Sequence, residues 1–378
     1  MQTVDTPESA GLDSGRWQTV LDTADDLCRA GHIPSIGLLV GRSGKTLGVQ
    51  TFGHQTLGAD PSPLRPDAIF LIASITKPIV AMGCLLLVER GLISLQDRVG
   101  RFLPAFATQG KRTLQLRHLL THTSGLPDML PDNRELREAE ASLSRFVERT
   151  AEIATDFLPG RAVQYQSMGF AVLGQLIEQI SGVSCAAFLA REFFEPLGMV
   201  DTTLGAPADW FAGDQPRVER IAEIRVPAEQ EGANWNWNQR YWRMLGAPWG
   251  GLLTTPEDLG RYCEMMLGQG QLGAARVLGR ATVATATQNQ LAGMPDVPDF
   301  DRRCRPWGLG WRLHWPAHTA NFGDFLGPAT YGHWGATGTV LWIDPDQQAF
   351  AIILTTQPQE PHGSYLARLS NGIAAAMM

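Results

Sequence analysis

The chain has 378 residues, 44% of them apolar and 18% charged, with a formal net charge of −7. That length can bury a large core in one or two domains, and the balance of apolar to charged residues excludes a disordered chain. With no basic run, the acidic balance argues against nucleic acid and anionic membrane surfaces as partners.

The opening residues 1–8 carry neither a basic segment nor an apolar core of a signal peptide. The expectation is therefore a cytoplasmic protein, or a periplasmic or secreted one if a leader has been trimmed. The longest apolar run, Ile79 to Val88, is about half a membrane span. Five cysteines, at 28, 84, 185, 263 and 304, are odd in number and too scattered for a metal or redox pair.

In chain order, residues 14–31 form an amphipathic helix, with Trp17, Val20, Leu21, Ala24, Leu27 and Cys28 on one face. Strands at 36–40 and 46–51 follow, joined by Gly41-Arg42-Ser43-Gly44-Lys45. This junction imitates a phosphate loop, but Leu39 stands where such a loop needs its first glycine, so it reads as a hairpin turn. From Ser74 the pattern turns helical: a first helix to about Arg90 with Gly91 at its C-terminus, then 142–155, 167–181, 184–194 and 256–268. Between about 205 and 250 no periodicity persists, as expected of a segment that lines a site or moves. Strands return at 338–343 and 349–356, and a helix at 363–376 closes the chain. This layout predicts an α+β fold in which one antiparallel sheet is built from both termini. Residues 1–70 plus 305–378 form the sheet domain, 71–304 a mostly helical domain, and Ser74 lies at the seam.

Ser74 and Lys77 carry the chemistry. Three residues apart at a helix start, they share a face. A serine hydroxyl needs a base to become a nucleophile, and a lysine can be that base once burial depresses its pKa. The wholly apolar helix that follows implies such burial. Three further stretches come later: Leu116-Arg117-His118-Leu119-Leu120-Thr121-His122-Thr123-Ser124-Gly125-Leu126-Pro127, a tyrosine before a helix in Gln164-Tyr165-Gln166-Ser167, and Gly332-His333-Trp334-Gly335-Ala336-Thr337-Gly338.

With Ser74-Ile75-Thr76-Lys77 and Trp249-Gly250-Gly251-Leu252-Leu253-Thr254-Thr255-Pro256, these stretches resemble the serine β-lactamase-like hydrolase superfamily. The nearest branch is the class C β-lactamase, D-aminopeptidase and family VIII esterase group. The resemblance runs from about residue 8 to 356. It implies the β-lactamase/transpeptidase-like fold and an acyl-enzyme mechanism with no cofactor and no metal. Ser74 corresponds to the acylated nucleophile, Lys77 to its lysine neighbour, and Tyr165 to the proton-shuttling tyrosine of the Tyr-x-Asn element, active as a phenolate if a flanking ammonium holds it so. Gly335 and Ala336 correspond to the edge of the Lys-Thr-Gly strand, whose amide pairs with that of Ser74 as an oxyanion hole. Two positions depart: Ser167 replaces the asparagine, and His333 the lysine, with Trp334 between His333 and Gly335. Both weaken the expected grip on a β-lactam.

The reading is a serine hydrolase acting on short-chain carboxylic esters, with Ser74, Lys77, Tyr165, His333 and Ala336 catalytic. Ser167, Trp334 and Gly335 contact the substrate, and Trp235, Trp237 and Trp242 form an aromatic wall over it. The alternatives are a β-lactamase or D-amino-acid peptidase of the same mechanism, and a non-catalytic ligand-binding pseudo-enzyme. The partner is a small ester, amide or β-lactam. His118 and His122 sit at metal-ligand spacing without a third ligand, and His314 and His318 have the same spacing but straddle Pro316, which argues against a helix there. Hydrogen bonding in the turn around Thr121 and Ser124 accounts for the first pair. Acidic residues 135, 138 and 140 read as a solvated helix face.

Overall fold

The computed structural model describes residues 1–108, 110–314, 322–358 and 364–378. His318 and the first residue of the expected 363–376 helix lie outside the described residues.

Strand β1 (Gln2–Thr3) precedes helix α1 (Ser14–Arg29), which Asp13 caps by accepting the Arg16 N–H at 2.8 Å. Next come β2 (Ser35–Arg42), β3 (Lys45–Thr46), β4 (Gln50–Gly53) and β5 (Phe70–Leu71). The β2–β3 turn holds Ser43 and Gly44 at positive φ of 49° and 76°, as a two-residue hairpin requires. The expected 46–51 strand is instead two strands, because Gly48 takes φ of 76° between them. Helix α2 (Thr76–Glu89) is followed by α3 (Asn133–Glu138) and α4 (Met168–Ser181), then β6 (Thr203–Leu204) and β7 (Leu252–Thr254). Helix α5 (Pro256–Leu267) has Thr255 as its cap and leads to a small ribbon, β8 (Gln271–Leu272) and β9 (Ala275–Arg276). The chain ends with β10 (Arg312–Leu313), β11 (Tyr331–Gly335), β12 (Thr339–Asp344), β13 (Ala349–Thr355) and helix α6 (Ser364–Ala376).

The main sheet runs β1-β3-β2-β13-β12-β11-β10, with β4 also pairing β2. It joins both ends of the sequence. Its ladders are antiparallel except at the edge, where β1 pairs β3 in parallel. Alternate residues of β2, β12 and β13 enter two different cores. Ile36, Leu38, Val40, Val340, Trp342, Ala351 and Ile353 face α1 and α6, while Leu39, Leu341, Ile343, Phe350, Ile352 and Leu354 face the larger core around α2, α4 and α5. Near-continuous apolar strands are what a sheet covered on both faces demands.

Two helices differ from the sequence expectation. The 142–155 helix stops at Glu152, where the buried Lys111 ammonium takes the carbonyls of Ala151 and Ile153. The 184–194 helix is α-helical over Cys185–Leu189 and widens into a π turn at Ala190–Phe194. Among the described residues no single helix is long and apolar enough to cross a membrane.

Candidate active site

The short sheet β5-β7-β6 and the strand β11 together fix the turn that bears Ser74. Ile72 donates its N–H to the Leu252 carbonyl (3.1 Å), and Leu252 donates to Thr76 Oγ1 (3.1 Å). From the other side, Thr337 Oγ1 donates to the Leu71 carbonyl (2.7 Å) and Thr339 Oγ1 to that of Ile72 (2.9 Å). Ala73, immediately before the serine, is held at φ of 46°, a left-handed conformation that costs a non-glycine residue about 1–2 kcal/mol. Surrounding hydrogen bonds therefore over-determine the position of Ser74. Gly335 lets β11 come this close: a Cβ there would overlap the Ile72 carbonyl oxygen and Thr339 Oγ1. Gly335→Ala should lower the melting temperature, overpacking costing about 1–3 kcal/mol, and reduce turnover more than stability. Thermal melts and ester assays on one preparation measure both.

Lys77 is fully buried at the first turn of α2, as the apolar helix implied. Its Nζ lies 2.9 Å from Ser74 Oγ and donates to the Trp249 carbonyl at 2.9 Å. Burial pulls its pKa down to about 7, helped by Arg312 and opposed by Asp128. A neutral amine is thus available in hydrogen-bond reach of the serine.

Tyr165 completes the cluster, with Lys77 Nζ 4.7 Å from its ring centroid and a side-chain hydrogen bond to Ser74. His122 stacks on its ring (4.7 Å between centroids, 25° between planes). Part of the ring faces the cavity, but its neighbours desolvate the phenol and push its pKa up, against the smaller opposing pull of the Ser74 hydrogen bond. Tyr165 is therefore a protonated phenol near neutrality. The resemblance makes a phenolate conditional on a flanking ammonium; Lys77, with its pKa near 7, is only partly charged at neutral pH, and desolvation of the phenol outweighs it.

His333 is wholly buried, and its Nδ1 donates to the Trp334 carbonyl at 2.7 Å. Burial first, then Arg312 and Lys77, hold it well below the usual histidine range, so it is neutral. Ser167 Oγ donates to Asp128 Oδ1 at 2.6 Å, which commits the hydroxyl standing in the asparagine position.

A cavity of about 410 Å³ opens over these groups, lined by Ser74, Tyr165, Ser167, Trp334 and Ala336. Trp237, Trp242 and Trp249 form its aromatic side, whereas Trp235 is not among the lining residues and lies instead by the Arg137 guanidinium. The turn bonds expected at Thr121 and Ser124 are present, the first two threonines pairing at 2.9 Å and Leu126 donating to Ser124 at 2.9 Å. His118 and His122 spend Nδ1 on the backbone N–H groups of Gln115 and Gln166.

Three charged residues of the cavity were not singled out from sequence. Arg312, on β10, is buried with its guanidinium 3.5 Å from the Trp334 ring centroid. Asp128 faces Ser167, and Arg137 closes one wall. The signal for Arg312 was a charge inside the apolar run Leu309-Gly310-Trp311-Arg312-Leu313.

Known proteins agree on the architecture. The model of the family described as Beta-lactamase matches residues 18–375. A protein from Salmonella heidelberg (strain SL476) named "Putative D-alanyl-D-alanine carboxypeptidase" is 26% identical over 386 residues, covering 95% of this chain and 87% of its own. A penicillin-binding protein homologue from Caulobacter crescentus superposes with a TM-score of 0.78 at 20% identity, covering 97% of this chain and 99% of its own. A family VIII carboxylesterase gives 0.74 at 20% identity, with 96% and 98% covered. At these identities the two structures share the fold.

Proposed function

We propose, for a chain that belongs to the Beta-lactamase family and is a serine hydrolase, that Ser74 attacks carboxylic esters and forms an acyl-enzyme. Neutral Lys77 takes the serine proton, and Tyr165, still protonated, hands its own to the departing alkoxide before regaining one through Lys77. The amides of Ser74 and Ala336 receive the oxyanion; a donor of this kind is worth about 3–4 kcal/mol. Water then repeats the sequence to release the acid. His333 stays neutral and positions the β11 edge through its bond to Trp334.

One observation carries the ester preference. The Ser167 hydroxyl is committed to the Asp128 carboxylate, leaving no amide to hold the acylamino arm of a β-lactam. An ester requires only the nucleophile, the proton path and the oxyanion donors. We expect kcat/KM for p-nitrophenyl butyrate to exceed that for nitrocefin by at least about tenfold, roughly 1.4 kcal/mol. Side-by-side steady-state assays decide it, and equal or better use of nitrocefin would reverse the assignment.

The D-peptidase reading has one observation of its own. Arg312 supplies a buried cation beside His333, where sequence suggested none, and a peptide C-terminal carboxylate could pair with it. Release of D-alanine from a D-alanyl-D-alanine peptide, faster than butyrate ester hydrolysis, would favour it.

A further inference from the structure

Arg137 is the least expected residue of the cavity wall. It sits on α3 between exposed Glu135 and Glu138, yet it is itself only 8% exposed. Its guanidinium lies 4.3 Å from the Trp242 ring centroid and 5.8 Å from that of Trp235. Among the described residues no ion pair or hydrogen bond holds its side chain, Glu138 being paired with Arg134, and its buried Nε is without a partner. Burial lowers its pKa to about 10, which leaves it cationic at neutral pH.

A buried guanidinium without an anion is costly, and two tryptophan faces recover only part of that cost. The charge also sits apart from the reacting groups: Arg137 meets the rings of Trp242 and Trp235, whereas Lys77 and Arg312 are the cations over Tyr165, although Arg137 and Ser74 line the same cavity. A fork of donors on the wall of a hydrolase pocket, framed by aromatic faces, matches a planar carboxylate.

We propose that Arg137 is a specificity-determining residue that binds a carboxylate carried by the substrate at the end remote from the scissile bond. The physiological ester is then a half-ester or a similar monoanion. This rests on the ester reading of Ser74 and deepens it.

The test uses two matched pairs of esters, each a carboxylate and its neutral carboxamide. One pair bears the group on the acyl end, as mono-(4-nitrophenyl) glutarate and its amide; the other bears it on the alcohol end, as 4-carboxyphenyl butyrate and its amide. The wild-type enzyme should prefer the acid in one pair by at least about tenfold in kcat/KM, chiefly through KM, and that pair identifies the end Arg137 meets. Arg137→Met should erase the preference and Arg137→Lys should keep part of it. The ratio within a pair is the readout, so a general loss of activity cancels. Arg137→Gln replaces the Met variant if melting shows the latter unfolded. No preference in either pair, or one that survives loss of the guanidinium, overturns the proposal. If none of the four esters turns over, the ester reading fails instead. The anion site is then judged by calorimetry with glutarate and its monoamide: tighter binding of the acid, lost in Arg137→Met, supports it, and equal binding ends it.

Discussion

Replacing Ser74 with alanine should abolish ester hydrolysis, by about 10⁴-fold or more in kcat, and abolish labelling by a fluorophosphonate, while the melting temperature stays within a degree or two. The size follows from losing the atom that forms the covalent bond: in enzymes whose residues act as a unit, loss of the nucleophile alone removes nearly the whole effect. Stability should hold because the turn is fixed by other groups. The Ile72 and Leu252 amides, Thr76, Thr337 and Thr339 hold it on both sides, and none of these bonds uses the Ser74 hydroxyl. Intact mass after probe treatment and a steady-state assay are sufficient. Labelling that persists in the alanine variant would place the nucleophile elsewhere and remove the basis of the mechanism.

How much of this was legible beforehand depended on the range of the interaction. Burial of Lys77 could be read from sequence because the apolar residues on every side of Ile79 to Val88 are a local pattern with one physical solution. The sheet built from both termini was legible for the same reason, its strands being short apolar runs at the two ends of the chain. The charges of the cavity were not. Arg137 belongs to a stretch whose neighbours Glu135 and Glu138 are solvated, and nothing local distinguishes its side chain from theirs. Its burial is decided by Trp235 and Trp242, about a hundred residues away in sequence. Asp128 became part of the site through Ser167, 39 residues on, and Arg312 through the rings of Trp334 and Tyr165. The protonation state of Tyr165 depends on enclosure, which sequence does not show: the burial that lowers the Lys77 pKa also keeps the phenol neutral.

That division of protons between Lys77 and Tyr165 gives the second large effect. Lys77→Met and Tyr165→Phe should each lower kcat by about 10²–10⁴-fold, the range for a positioned acid or base. The double variant should lose much less than the product, because either deletion already breaks the single path Ser74–Lys77–Tyr165. Fully multiplicative losses would mean two independent routes. The pH profile tests the same path. Lys77 acts only as the free amine, and its folded pKa is near 7, so protonation removes the base as pH falls through 7. The acid limb of kcat/KM should therefore fall about tenfold per pH unit below that point and level off above it. Asp128 raises the Lys77 pKa, so Asp128→Asn should move this limb to lower pH. Arg312 lowers it, so Arg312→Gln should move the limb to higher pH. Opposite displacements by two neutralising substitutions assign the limb to a group lying between those charges. A limb that neither substitution moves belongs to another residue, and Lys77 would then not be the base.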